Sequence, residues 1–121
     1  MVRKSLEGNL TKKAYSKSKY DDKKLLDLKK SADKDIGYLY FMKNFMWIQH
    51  PTRGRLKFEP YEFQTRLLDT YNRNRFAIAM CARQTGKTTC ASGFLIWYAM
   101  FRPDSQILIA AHKYAGASDI M

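Results

Sequence analysis

Phe76-Ala77-Ile78-Ala79-Met80-Cys81-Ala82-Arg83-Gln84-Thr85-Gly86-Lys87-Thr88-Thr89 is the stretch on which the fold turns. It opens with five apolar residues in a row after the polar Asn72–Arg75. A short unbroken apolar run of this kind predicts a strand buried on both faces, as in a parallel sheet. A loop of small and polar residues follows, and Lys87–Phe101 then reads as an apolar helix with Pro103 just beyond its end. Proline cannot continue a helix, so the boundary is clear. Gln106–Ala110 predicts a second buried strand. Strand, loop, helix and strand in this order make a βαβ unit, with parallel strands and a right-handed crossover.

The loop between the first strand and the helix carries most of a phosphate-binding motif, G-x-x-x-x-G-K-[ST]. Here it reads Cys81-Ala82-Arg83-Gln84-Thr85-Gly86-Lys87-Thr88, followed by Thr89. Gly86 lets the backbone come close to a phosphate. The N–H groups around Thr85–Thr88 would face the anion from the helix N-terminus, where the helix dipole favours negative charge. Lys87 would reach the β- and γ-phosphates, and the Thr88 hydroxyl would be a Mg²⁺ ligand. Cys81 stands where the motif has glycine. Two roles are open to Arg83: stabilising charge on a γ-phosphate as an arginine supplied in cis, or pairing with a surface carboxylate. Gln84 would contact the same phosphate or neighbouring side chains.

Upstream, a helix is expected from Glu59 or Pro60 to about Tyr71, since proline suits a first helical turn. Gln64 lies in its apolar stripe, three after Tyr61 and four before Leu68. An amide there offers donors and an acceptor to the edge of adenine; the other reading is an exposed helix polar residue. Tyr61 and Phe63 are read chiefly as core, the other reading being that one of them packs against the base. A further helix is expected over Asp33–Trp47, with Phe41, Phe45 and Trp47 as core or packing surface. A turn is expected at His50–Gly54, a short extended piece at Leu56–Phe58, and the start of another helix at Ala117–Met121. His50 reads as a turn residue. His112 and Lys113, at the carboxyl edge of the sheet, read as a DNA contact, a relay of nucleotide state or a solvated loop.

Charge is the unusual bulk property. Lys and Arg number 22 against 11 Asp and Glu in 121 residues, a net charge of +11. Such a balance favours polyanions. Residues 1–31 form a polar, basic arm, disordered or loosely helical, with helix expected over Asp22–Lys30. Lys12, Lys13, Lys17, Lys19, Lys23 and Lys24 would contact phosphates or simply be solvated. Residues 32–121 form the α/β part. The two cysteines, Cys81 and Cys90, have no metal-ligand spacing and predict reduced thiols. The N-terminus lacks the apolar stretch of a signal peptide, and no apolar run approaches a bilayer span.

Phe63-Gln64, then Ala82-Arg83-Gln84-Thr85-Gly86-Lys87-Thr88-Thr89, then Ile109-Ala110-Ala111-His112-Lys113 resemble the large terminase subunit of tailed bacteriophages, in its T-even-like branch. The resemblance spans roughly residues 56–121. It implies an ASCE-type, RecA-like P-loop NTPase domain with a parallel sheet. It also tolerates Cys81, because the family's loop carries Arg-Gln-x-Gly-Lys-Thr-Thr with a non-glycine start. The implied ligands are ATP and Mg²⁺. Gln64 would mark the adenine site, Ala82–Thr89 would hold the nucleotide, Thr88 the metal, and Arg83 and Lys87 would serve the γ-phosphate. The implied partners are double-stranded DNA, the portal protein, the small terminase subunit and further copies in a ring, with no membrane. The implied setting is the cytoplasm of the infected bacterial host, transiently on the procapsid and not in the mature virion. The family couples this ATPase to a nuclease. A strand ending in Asp-Glu and the nuclease acidic cluster do not occur after Ala110, so the chain is expected to be an N-terminal portion, weak in nucleotide binding and inactive alone. Two other classes fit the same residues: a superfamily 2-type helicase or translocase fragment, and a non-catalytic basic nucleic-acid-binding module.

Overall fold

The computed structural model describes residues 19–50, 52–111 and 114–118. The expected roles of Lys12, Lys13, Lys17, His112 and Lys113 lie outside the described residues. The elements are α1 (Asp22–Ser31), α2 (Gly37–Phe45), β1 (Trp47–His50), β2 (Gly54–Lys57), α3 (Glu62–Arg73), α4 (Lys87–Phe101) and α5 (Tyr114–Ser118).

Helix α4 is the axis of the packing. Its Cys90, Phe94 and Trp97 are buried together with Tyr38 and Met42 of α2, Leu68 of α3 and Phe58 after β2. Full burial of each such side chain contributes about 1.5–3 kcal/mol. The aromatic rings meet edge-on, with Tyr38 at 5.9 Å from Phe94 and 5.7 Å from Trp97. That is the geometry ring quadrupoles favour. Gly93 lets α2 approach, because a Cβ there would stand 2.6 Å from both Met42 Cε and Met46 Sδ.

Helix α1 belongs to this assembly. Ser31, at its last turn, is 1% exposed. Its hydroxyl donates to the Asp27 carbonyl at 2.8 Å, and its own carbonyl accepts the Trp97 indole N–H. The Tyr40 hydroxyl donates to Asp27 at 2.7 Å. The boundary expected between residues 31 and 32 therefore falls on a packed junction. Asp33 closes the link to α2 by accepting the backbone N–H groups of Asp35 and Ile36.

Helix α2 ends at Phe45, two residues before the expected end at Trp47. Met46 turns extended, and Trp47–His50 pairs antiparallel with Gly54–Lys57, Trp47 opposite Lys57 and His50 opposite Gly54. His50 Nδ1 accepts the N–H groups of Thr52 and Arg53 and so closes the turn, while Gly54 takes φ +72°. Ile48 packs against the core, and Leu56, its partner in register, is half-buried on the same face. On the outer face Arg55 lies 4.8 Å from the Trp47 ring centre, a cation–π pair across the strands.

The hairpin is the one sheet among the described residues. The runs 76–80 and 106–110, expected as parallel strands, are assigned to no sheet there. Ile78, Met80 and Leu108 are more than nine-tenths exposed. A run patterned for burial on both faces needs neighbours on both sides before it becomes a strand. Ala77 and Leu108 nonetheless line one groove of about 570 Å³ with Phe94 and Leu95 of α4. Both runs thus flank the same helix.

Candidate phosphate-binding loop

The loop enters α4 through Gly86, the N-cap residue, at φ +73° and ψ +17°. Only glycine takes this left-handed conformation at little cost. Gln84 also has positive φ, at +60°. Backbone that alternates in handedness turns successive N–H groups to one side, the geometry of an anion nest. The Gly86 carbonyl accepts the Cys90 N–H at 3.0 Å, so α4 begins immediately after the turn. Its first turn holds no acidic residue, which leaves the positive end of the helix dipole uncompensated.

Two hydrogen bonds hold the loop in a closed bend around the Ala82 carbonyl. The Thr85 hydroxyl donates to it at 3.0 Å, and the Lys87 ammonium arches back to it at 3.4 Å. Ala82, Arg83, Gln84, Lys87 and Thr88 are all exposed. Thr85, Gly86 and Thr89 are half-buried, as is Cys81. The ion pairs of the described residues are Lys24–Asp21, Arg66–Glu62 and Arg73–Asp69, and Arg83 takes part in none of them.

Gln64 comes to the loop from α3. It is 6% exposed. Its Nε2 donates to the Thr85 carbonyl at 3.0 Å, and its Oε1 accepts the Tyr61 N–H at 3.0 Å. Of the two sequence readings, an exposed polar residue is set aside by this burial. Tyr61 and Phe63 depart from expectation in the other direction. They are 69% and 44% exposed and stack on each other at 5.9 Å with an interplanar angle of 7°. Their ring pair lies outside the core because α3 buries the face bearing Gln64 and Leu68.

The hairpin adds residues that sequence patterning missed. A cleft of about 310 Å³ separates it from the loop, lined by Ile48, Leu56, Phe58, Tyr61, Gln64 and Gly86 among others. The sequence signal was the Arg53-Gly54 turn between two short apolar stretches, which marks a hairpin as readily as a plain turn. A second groove of about 360 Å³ runs between α3 and the chain leading into the loop, with Leu67, Ile78 and Thr85 in its walls.

The chemistry open to this arrangement is anion binding by backbone N–H groups, a lysine and two threonine hydroxyls. Among the described residues no group of three or more His, Cys, Asp or Glu side chains gathers to hold a metal ion. The exposed Thr88 hydroxyl is a single oxygen donor suited to Mg²⁺, which keeps most of its shell as water and phosphate. No helix among the described residues is long and apolar enough to cross a membrane. No family model matches the chain, and no solved structure matches it.

Proposed function

We propose that Cys81–Thr89 binds the phosphates of ATP with Mg²⁺, and that the chain is the ATP-binding part of a terminase-like motor that drives double-stranded DNA into a procapsid. The observation that carries the first half is the left-handed Gly86 opening a 15-residue helix whose exposed first residues are Lys87 and Thr88. In this reading the backbone N–H groups, the helix dipole, the Lys87 ammonium and the Thr88 hydroxyl would serve one anion, as a triphosphate with its metal requires. Arg83, exposed and outside the ion pairs of the described residues, is available to a γ-phosphate. In this reading 76–80 and 106–110 are neighbouring parallel strands of a P-loop NTPase sheet, which their shared groove on α4 supports.

The motor role rests on the Arg83-Gln84-Thr85-Gly86-Lys87-Thr88-Thr89 sequence and on the net charge of +11. It brings with it the portal protein, the small terminase subunit and a ring of copies as partners. The place of action is the host cytoplasm and, transiently, the procapsid. Hydrolysis further needs carboxylates to hold the metal and orient water, so ATP binding is the activity assigned to these residues.

Isothermal titration with Mg·ATP on the native chain and on Lys87→Ala tests the reading. Binding by the native chain and a loss of at least about tenfold in Lys87→Ala are expected, since charge-assisted contacts to phosphate are the strong ones. Equal affinities would remove the nucleotide assignment.

A further inference from the structure

We infer that Gln64 is a positioning residue of the phosphate loop, aiming the Gly86 N–H at the anion, rather than a reader of the base. The inference rests on the phosphate-binding reading and assigns a different task to one of its residues. A glutamine that reads adenine must turn its carbonyl and its amino group together toward one purine edge. In this chain the two ends are engaged in different directions within the protein. Oε1 accepts the Tyr61 N–H at the start of α3, and Nε2 donates to the Thr85 carbonyl 21 residues further on. The side chain is 6% exposed, so the hydrogen bonds form where water competes poorly.

The consequence for the loop follows from peptide geometry. The Thr85 carbonyl and the Gly86 N–H belong to one planar trans peptide and point in opposite directions. Holding the carbonyl toward Gln64 therefore turns the Gly86 N–H away from α3, toward the open side of the loop. A hydrogen bond accepted at the carbonyl also polarises that N–H and strengthens it as a donor. Gly86 is needed for a second reason here. A Cβ at this position would stand 2.8 Å from Gln64 Nε2 and displace it. The left-handed turn and the close approach of the amide thus select the same residue.

Binding of Mg·ATP, Mg·GTP and inorganic tripolyphosphate to the native chain, Gln64→Ala, Gln64→Met and Lys87→Ala tests this. The expected result is a loss of about fivefold to tenfold for all three ligands alike in both Gln64 variants, the scale of one hydrogen bond. Native-state hydrogen exchange should quicken at the Cys90 amide, which the Gly86 carbonyl holds, while Leu68, on the helix of Gln64, stays protected. A loss confined to ATP would make Gln64 a base reader and overturn the inference. Unchanged affinity for tripolyphosphate, or faster exchange at Leu68 as well as Cys90, would overturn it too. If the native chain binds none of the ligands, or Lys87→Ala binds them as well as native, the phosphate reading itself falls. If Lys87→Ala abolishes binding and the Gln64 variants match native, the positioning role alone falls.

Discussion

The indole N–H of Trp97 donates to the carbonyl of Ser31 at 2.6 Å, across 66 residues of sequence and inside the core. It keys the far half of the loop-bearing helix to the end of α1. The Ser31 carbonyl also abuts the start of α2, where Gly37 passes so closely that any Cβ would strike it. One carbonyl therefore organises three helices.

Trp97→Phe should destabilise the chain by about 2–4 kcal/mol, from an unsatisfied carbonyl and a partly emptied site. Urea unfolding followed by far-UV circular dichroism measures it. A change below about 1 kcal/mol would mean that the hydrogen bond contributes little.

Two glycine substitutions should differ although each meets a close contact. Gly37→Ala drives a methyl group into the backbone of Ser31 and Lys30, which cannot yield locally. The expected cost is about 3 kcal/mol, at the upper end for overpacking. Gly93→Ala meets only the ends of Met42 and Met46, which are flexible, and gains about 1 kcal/mol of helix propensity. Its net effect should stay within about 1 kcal/mol of native. Thermal melts of the two variants side by side decide it.

Stability should fall above pH 10 through Tyr38. Burial, and then the carboxylate of Asp69, push its phenol from the ordinary 10.0 up to about 12. The folded state thus favours the neutral phenol. Its contribution is complete below pH 10 and is lost as pH rises from about 10 to about 12. Melting temperatures from pH 9 to 12 should drop more steeply for the native chain than for Tyr38→Phe; parallel profiles would contradict this.

The two thiols should separate by reactivity. Cys90 is fully buried, and burial raises its thiol above the ordinary value. Cys81 is half-buried at the entrance to the loop. Iodoacetamide at pH 8 should modify Cys81 at least about tenfold faster, because access and thiolate fraction both set the rate. Peptide mass spectrometry reads the two sites separately. With the proposed anion bound, added tripolyphosphate should slow the reaction at Cys81.

Local signals carried the parts of the fold that were legible in the sequence. Helix α4 was bounded by Gly86 and Pro103, while α3, expected from Glu59 or Pro60 to about Tyr71, runs from Glu62 to Arg73, into the polar stretch read as its end. The turn at His50–Gly54 and the extended piece after it were legible, but the first strand was not, because Met46 and Trp47 continue the apolar spacing of α2. The Phe58 N–H on the Met46 carbonyl and the pairing of Trp47 with Lys57 draw them out of it. Tyr61 and Phe63 look like core in any apolar count, yet the rotation of α3 is set by burial of Leu68 and Gln64. In the candidate site, Gln64 could be picked out by its place in the apolar stripe. Its partner at Thr85 could not, since nothing in local spacing encodes a contact 21 residues away.

Gly93 has one more consequence. The space it leaves is filled by the thioethers of Met42 and Met46, so the contact between α2 and the loop-bearing helix is made of sulfur where a branched aliphatic would have served. Thioethers oxidise to sulfoxides, which are polar and no longer fit an apolar seam. Met46, the more accessible of the two, gives peroxide a route to loosen the scaffold behind the loop without touching a loop residue.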